Sequence, residues 1–336
     1  MRSPRPARAP RTVVVTGASA GVGRAIVDAF ARRGDRIGLI ARGRAGLEAA
    51  RSGAEAAGAS AAVAVPTDVA DPDQVDTAAR HLDSELGPPD VWVNNAMASV
   101  LSPVTDVEPG EFRRVTEVAY LGYVHGTLAA LARMRPRDAG TIVFIGSSLA
   151  YRGIPAQSAY CAAKHAVQGF RDSLRAELVA EGSHIALTTV NLPALNTPQF
   201  SWVRTRLDGH PRPLPPIYQP EVAAEAVVWA AERAPRELDV GASTVLAKLA
   251  NAVAPGLLDH FLASSAIEDQ QGEEPVTDRP DNLDAPVDEH RDYGAHGRFG
   301  AEARERSWQL WARTHRPHVA IGAAALAAAV VTLSSR

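Results

Sequence analysis

Residues Val13–Gly23 read VVVTGASAGVG, an apolar β-branched run that breaks into a glycine-rich turn and opens directly into the helical pattern GRAIVDAFARRG, 23–34. That context decides the fold. Glycines between a strand and a helix let backbone approach a ligand closely, and the helix start offers unpaired N–H groups and a positive dipole to a pyrophosphate. The unit then repeats along the chain. RIGLIAR (36–42) precedes GLEAARSGAEAAG (46–58), and AAVAVPTDV (61–69) precedes QVDTAARHLDSELG (74–87). DVWVNNA (90–96) precedes the long pattern EFRRVTEVAYLGYVHGTLAALARM (111–134). TIVFIGSS (141–148), a helix over about 160–178 and IALTTVNLPA (185–194) complete the series. Short apolar runs alternating with longer helical segments predict an α/β chain: a Rossmann-type, doubly wound parallel sheet covered on both faces, as a single domain over residues 11–262.

Bulk composition narrows the function classes. A formal charge of −3 over 336 residues gives no global basic field for nucleic acid. One cysteine, Cys161, excludes an intramolecular disulfide framework and suits a reducing, cytoplasmic setting. Beside Tyr160 but about 100° around a helix, it reads as a small packing residue. No His/Cys cluster calls for a metal. The start, MRSPRPARAPRT, is basic and Pro-rich without the apolar stretch of an export signal; residues 1–10 read as a disordered basic leader.

Several further motifs follow in order: Asp68 in PTDVAD, NNA at Asn94–Ala96, Ser147 thirteen residues before Tyr160, the pair Tyr160-x-x-x-Lys164, and Thr197. With the glycine spacing G-x-x-x-G-x-G, this series resembles the short-chain dehydrogenase/reductase family over roughly residues 11–250. The resemblance implies an oxidoreductase that moves a hydride between a nicotinamide dinucleotide and a carbonyl or secondary alcohol. It implies Ser147, Tyr160 and Lys164 as the catalytic residues. It places the cofactor on Gly17, Ser19, Gly21, Val22 and Gly23, on Asp68, Val69, Asn95 and Ala96, and on Tyr160, Lys164 and Thr197. Relatives are often dimers or tetramers, so a homo-oligomer is a further expectation.

The chemistry can be argued from the residues themselves. Tyr160 and Lys164 stand at i and i+4 on one helix face. A nearby ammonium favours the phenolate and is expected to lower the Tyr160 pKa. A Tyr so tuned can give a proton to a carbonyl oxygen or take one from an alcohol. A Ser hydroxyl can hydrogen-bond that same oxygen. GSS offers Ser147 and Ser148, and the two-residue period of a strand end leaves only one facing the site. Only two lysines occur in the chain, Lys164 and Lys248, against 33 arginines among the 35 basic residues. A compact ammonium at position 164 is thus an exception that chemistry explains.

Three positions depart from the family pattern. Ala119, in Val118-Ala119-Tyr120-Leu121-Gly122, replaces an Asn that completes a proton relay with Lys in many members. Leu192-Pro193 replaces a Pro-Gly pair, and Met97 replaces a Gly. These keep open the alternative of a non-catalytic dinucleotide-binding regulatory or scaffold protein on the same fold. For the cofactor, Arg42 just past the second strand, with no acidic residue before Glu48, suits a 2′-phosphate and points to NADP(H) over NAD(H), although Ala20 leaves the turn without a second basic group.

Outside the alternation, Thr197–Pro220 reads as a loop or lid over the site, with Phe200, Trp202, Ile217 and Tyr218 as apolar candidates for a hydrophobic substrate, Ser147 touching its oxygen. Residues 263–305, most clearly 267–300, are acidic and rich in Pro and Gly, which predicts a disordered linker. Residues 306–336 predict a helical tail. Its apolar run, 319–333, would be roughly 22 Å long as a helix, short of a bilayer core of about 30 Å. Arg313 and Arg316 before it suit a tether to the cytoplasmic face of a membrane.

Overall fold

The computed structural model describes residues 9–276 and 278–315. Seven parallel strands form the central sheet: β1 (Thr12–Thr16), β2 (Arg36–Ala41), β3 (Ala61–Pro66), β4 (Val91–Asn94), β5 (Thr141–Ser147), β6 (Ala186–Leu192) and β7 (Glu237–Asp239). Their spatial order is β7-β6-β5-β4-β1-β2-β3. The expected doubly wound architecture is present, and the residues of β1 show why it forms. Val13 and Val15 enter one buried cluster, and Val14 enters the other. Successive side chains of a strand point to opposite faces, so an unbroken apolar run requires cover on both.

That cover is helical. One layer is α1 (Gly21–Ala31), α2 (Arg44–Ala57) and α7 (Pro220–Arg233); the other is α3 (Pro72–Leu86), α4 (Pro109–Thr116), α5 (Gly122–Met134) and α6 (Ser158–Ala180). Between α4 and α5, Glu117–Leu121 makes a π-helical turn that includes the fully buried Ala119. The chain leaves β1 for β2 on one side and reaches β4 on the other. The crevice beyond the carboxyl ends of β1 and β4 is therefore the switch point where open α/β sheets bind ligands.

Two further helices, α8 (Ala242–Val253) and α9 (Pro255–Ser265), follow the sheet. The expected lid region is ordered: Arg204–Thr205 pairs with Val100–Leu101, and Gly209–Pro211 pairs with Gln271–Pro275.

The expectation of a disordered linker at 263–305 is corrected. Residues 281–299 form a strap across the carboxyl edge of the sheet, with Leu283 wholly buried among α3- and α5-side residues and Phe299 against Phe200. Composition misled because several of the acidic side chains are ion-paired to the body. Arg204 holds Asp281 and Asp284, each at 2.8 Å, so arginines of the body receive the strap. A helix α10 (Trp308–Thr314) follows. No helix among the described residues is long and apolar enough to cross a membrane. The run 319–333 and the leader over 1–8 lie outside the described residues.

Candidate active site

The glycine turn is built by contacts that leave no room for a side chain. A Cβ at Gly23 would meet the Gly17 carbonyl at 1.9 Å, and one at Gly17 would meet the Ala96 Cα at 2.8 Å. Gly17 and Gly21 also take positive φ, at 65° and 56°, which glycine adopts without strain. The NNA motif clamps this turn from β4. Asn95 Nδ2 donates to the carbonyls of Thr16 at 2.9 Å and Gly17 at 3.2 Å, while Thr16 Oγ1 accepts from the amides of Asn95 and Ala96.

Around the turn opens a cleft of about 590 Å³. Its walls include Gly17, Ser19, Gly21 and Val22, then Arg42, Asp68 and Val69, then Asn95, Ala96 and Thr197. Every expected cofactor residue lines it except Gly23, which packs beneath. The cleft also reaches Ser147, Tyr160 and Lys164. A cradle whose glycines exclude Cβ atoms, beside a helix start and opposite an adenosine-side Asp, fits a dinucleotide.

The three polar groups converge from two elements. β5 ends at Ser147, and the first two turns of α6 carry Tyr160 and Lys164. α6 is fixed by a buried face of Ala159, Ala163, Val167, Leu174 and Leu178. The Ser147 hydroxyl lies near the Tyr160 phenol and acts to lower its pKa, and Ser147 Oγ accepts from the Leu149 amide at 3.1 Å. Ser148 lines the cleft too, contrary to the strand-alternation argument. The strand gives way at that residue to a 3₁₀ turn, Ser148–Ala150, so period two no longer applies. Cys161 is buried, and burial pushes its thiol pKa up, as suits a packing residue.

The electrostatics differ from the sequence expectation. Burial pushes the Tyr160 phenol well above its ordinary range, with the nearby Ser147 hydroxyl opposing it. The lowering expected from Lys164 does not appear, because Lys164 is itself desolvated and its pKa falls to about 7. Its ammonium is also directed elsewhere: Nζ donates to Tyr123 Oη at 2.8 Å and to the Ile145 carbonyl at 2.9 Å, and lies 5.5 Å from the Tyr160 ring centre.

Tyr123 is the residue that sequence reasoning missed. It is buried on α5, one turn past Ala119, and its hydroxyl also donates to Ile145 O at 3.0 Å. It gives Lys164 an internal oxygen partner at the level where the usual Asn is missing.

A labelling experiment follows, since the chain holds two lysines. Lys164 should titrate near pH 7. Burial also works against Lys248, but the carboxylates of Glu237 and Asp239 outweigh it and raise its pKa. NMR of ¹³C-lysine protein should therefore show one resonance titrating near neutrality and one unmoved to about pH 10. Tyr123→Phe, which removes an acceptor from the ammonium, should move the lower midpoint further down. Two midpoints near the ordinary lysine value of about 10.4 would contradict this geometry. Between about pH 7 and 10.5 the unfolded chain holds a proton that folded Lys164 has released, so this group's contribution to stability rises with pH across that window and is lost as pH falls towards 7.

Of the lid candidates, Phe200 and Trp202 line the cleft. Tyr218 does not: it bridges to Leu195 and Arg304 and packs against Gly241, away from Tyr160. Ile217 likewise packs with Phe200 and Phe299 beneath the surface.

Comparison with known proteins agrees with this geometry. The family model described as short chain dehydrogenase matches residues 11–207. The chain belongs to the short-chain dehydrogenase family. It is 30% identical over 276 residues to the uncharacterized oxidoreductase YxnA of Bacillus subtilis (strain 168), covering 81% of this chain and 77% of that protein. The 3-ketodihydrosphingosine reductase of Bos taurus is 31% identical over 204 residues, 59% of this chain and 61% of its own length. A solved short-chain alcohol dehydrogenase candidate from Sinorhizobium meliloti 1021 superposes with a TM-score of 0.51 at 31% identity, covering 54% of this chain and 71% of that one. This short-chain dehydrogenase is thus an oxidoreductase of the kind that uses an NAD(P)-type dinucleotide.

Proposed function

We propose that this short-chain dehydrogenase reduces a hydrophobic ketone to a secondary alcohol, Tyr160 serving as general acid, Ser147 orienting the carbonyl oxygen and Lys164 supporting the phenol. The observation that carries the reading is the meeting of Ser147, Tyr160 and Lys164 in the same cleft as the glycine turn. A nicotinamide dinucleotide bound there supplies the hydride. Tyr160 holds its proton at neutral pH, as a free phenol does and as its burial reinforces, and that is the form that donates to a carbonyl oxygen. The Ser147 hydroxyl, beside the phenol in the same cleft, is placed to share that oxygen. Lys164 Nζ, 4.4 Å from the Tyr123 ring centre and 5.5 Å from that of Tyr160, stands between the two phenols and can hold or release a proton near neutral pH. Its bond to Tyr123 supports turnover over the non-catalytic alternative that Ala119 had suggested.

Arg42 supports NADP(H) over NAD(H), since a guanidinium just past β2 suits a 2′-phosphate. For the substrate, the far end of the cleft is walled by Leu101, Leu149, Ile154, Phe200, Trp202 and Val203. At its mouth Leu246 and Phe261, from α8 and α9, remain 64% and 65% exposed. An apolar wall continuing into an apolar mouth suits a long-chain ketone. The sphingoid-base reductases among the relatives lean the same way.

A panel of ketones of rising chain length, assayed with each reduced dinucleotide, tests this. Specific activity should rise at least tenfold from short to long chains, at about 0.8 kcal/mol for each buried methylene. A flat profile, or preference for small polar carbonyls, would contradict the substrate class.

A further inference from the structure

The strap ends its path on the part of the cleft where an adenosine ribose would lie. Arg42 donates to the backbone carbonyls of Asn282, Leu283 at 3.2 Å and Asp284 at 3.1 Å, so three strap carbonyls take up its guanidinium. Arg114, which pairs with Asp68, also donates to Leu283 O at 3.1 Å. The start of α2 is satisfied by the same strap. The Arg44 amide donates to the Glu289 carboxylate at 3.0 Å, the Ala45 amide to Glu289 O at 3.2 Å, and the Gly46 amide to Asp288 O at 3.0 Å. Further on, the Gly21 amide of α1 donates to Gly294 O at 2.9 Å.

Asp288 is the group these contacts do not explain. It is 8% exposed and lines the cleft beside Arg42. Its carboxylate lies on the cleft wall and acts on the Arg42 guanidinium through space, favouring its charged form. It rests in a cradle of two glycines: a Cβ at Gly43 would lie 1.9 Å from Oδ1, and one at Gly46 would lie 2.5 Å from Oδ2. A carboxylate bordering the cleft can accept from hydroxyl groups of a bound ligand. The end of β2 is where a carboxylate accepts the adenosine ribose hydroxyls in NAD sites, and where an arginine and a helix start hold a 2′-phosphate in NADP sites. Here the carboxylate arrives not from β2 but from a segment more than 240 residues further along the chain.

We propose that the strap 281–294 selects the cofactor: docked, Asp288 accepts the adenosine ribose hydroxyls while the Glu289 carboxylate and the 282–284 carbonyls hold the place of a 2′-phosphate, and only when the strap lifts are Arg42 and the α2 amides available to NADP(H). The inference rests on the dinucleotide reading above. It makes cofactor choice a property of strap docking rather than of Arg42 alone, and it places the discriminating carboxylate where no β2 motif would reveal it.

The test is direct binding of NADPH and NADH, by calorimetry, to the full chain and to the double variant Asp288→Asn/Glu289→Gln. The NADPH-to-NADH affinity ratio should rise at least tenfold in the double variant. Gly43→Ala, which would crowd Asp288 out of its cradle, should shift the ratio the same way. In the unmodified chain, saturating NADPH should raise hydrogen exchange over residues 281–294, and NADH should not. A ratio unchanged in both variants, with both dinucleotides still bound, would overturn the strap's role and leave the dinucleotide reading standing. Failure of the unmodified chain to bind either dinucleotide would overturn both.

Discussion

Replacing Tyr160 by Phe should lower the ketone reduction rate by about 10³-fold, the loss expected when a positioned general acid is removed. The ring stays, so the packing of α6 should survive. The lost hydroxyl leaves Ser147 with its bond from the Leu149 amide, so the oxygen-orienting group keeps one fixed neighbour. Dinucleotide affinity should change by less than about threefold, because the turn, Asp68, Asn95 and Thr197 on the cleft wall are untouched by loss of one hydroxyl. Stopped-flow turnover and calorimetric binding on the same preparation separate the two effects. Turnover within a few-fold of the parent would remove Tyr160 from the mechanism. A parallel loss of binding would make its role structural.

Lys164→Arg should be nearly as damaging, and for a different reason. Lys164 is 2% exposed, with Nζ fitted between the Tyr123 hydroxyl and the Ile145 carbonyl and 4.4 Å from the Tyr123 ring centre. A guanidinium is broader and keeps its charge at any accessible pH, whereas the ammonium here can shed its proton near neutrality. Overpacking a close-fitted core site typically costs about 1–3 kcal/mol, to which the burial of a permanent charge adds. The variant should therefore lose about 100-fold or more in kcat and several degrees in Tm. Lys164→Met provides the contrast: it should recover the Tm, most clearly below pH 7, but not the activity. Activity retained in Lys164→Arg would mean that any cation suffices at this position.

The parts of this protein legible in its sequence are those whose physics is local. VVVTGASAGVG encodes strand, turn and helix within eleven residues, and Tyr160 and Lys164 share a face by helix geometry alone. Thr197, Asp68 and Asn95 became readable through their order along the chain. Tyr123 was not legible, because its value comes from meeting Lys164 across 41 positions, through a helix crossing that no period announces. The strap was misread for a related reason. An acidic, Pro- and Gly-rich composition is the mark of a solvated segment only if nothing in the body answers it; here Arg204, Arg24 and Arg44 pair with its carboxylates, and Arg42 and Arg114 take its backbone carbonyls. Tyr218 shows the limit of reading aromatic residues as substrate contacts. Composition says that a ring seeks burial, not on which side of the loop it finds it.

The measurement closest to the central claim is isotope transfer. The full chain would be supplied with a long-chain ketone and reduced dinucleotide carrying deuterium at the hydride position, and the alcohol would be analysed by mass spectrometry. The predicted result is a single deuterium on the carbinol carbon, formed in step with dinucleotide oxidation and lost in Tyr160→Phe. Dinucleotide binding with no label transferred to any carbonyl of the panel would contradict the account.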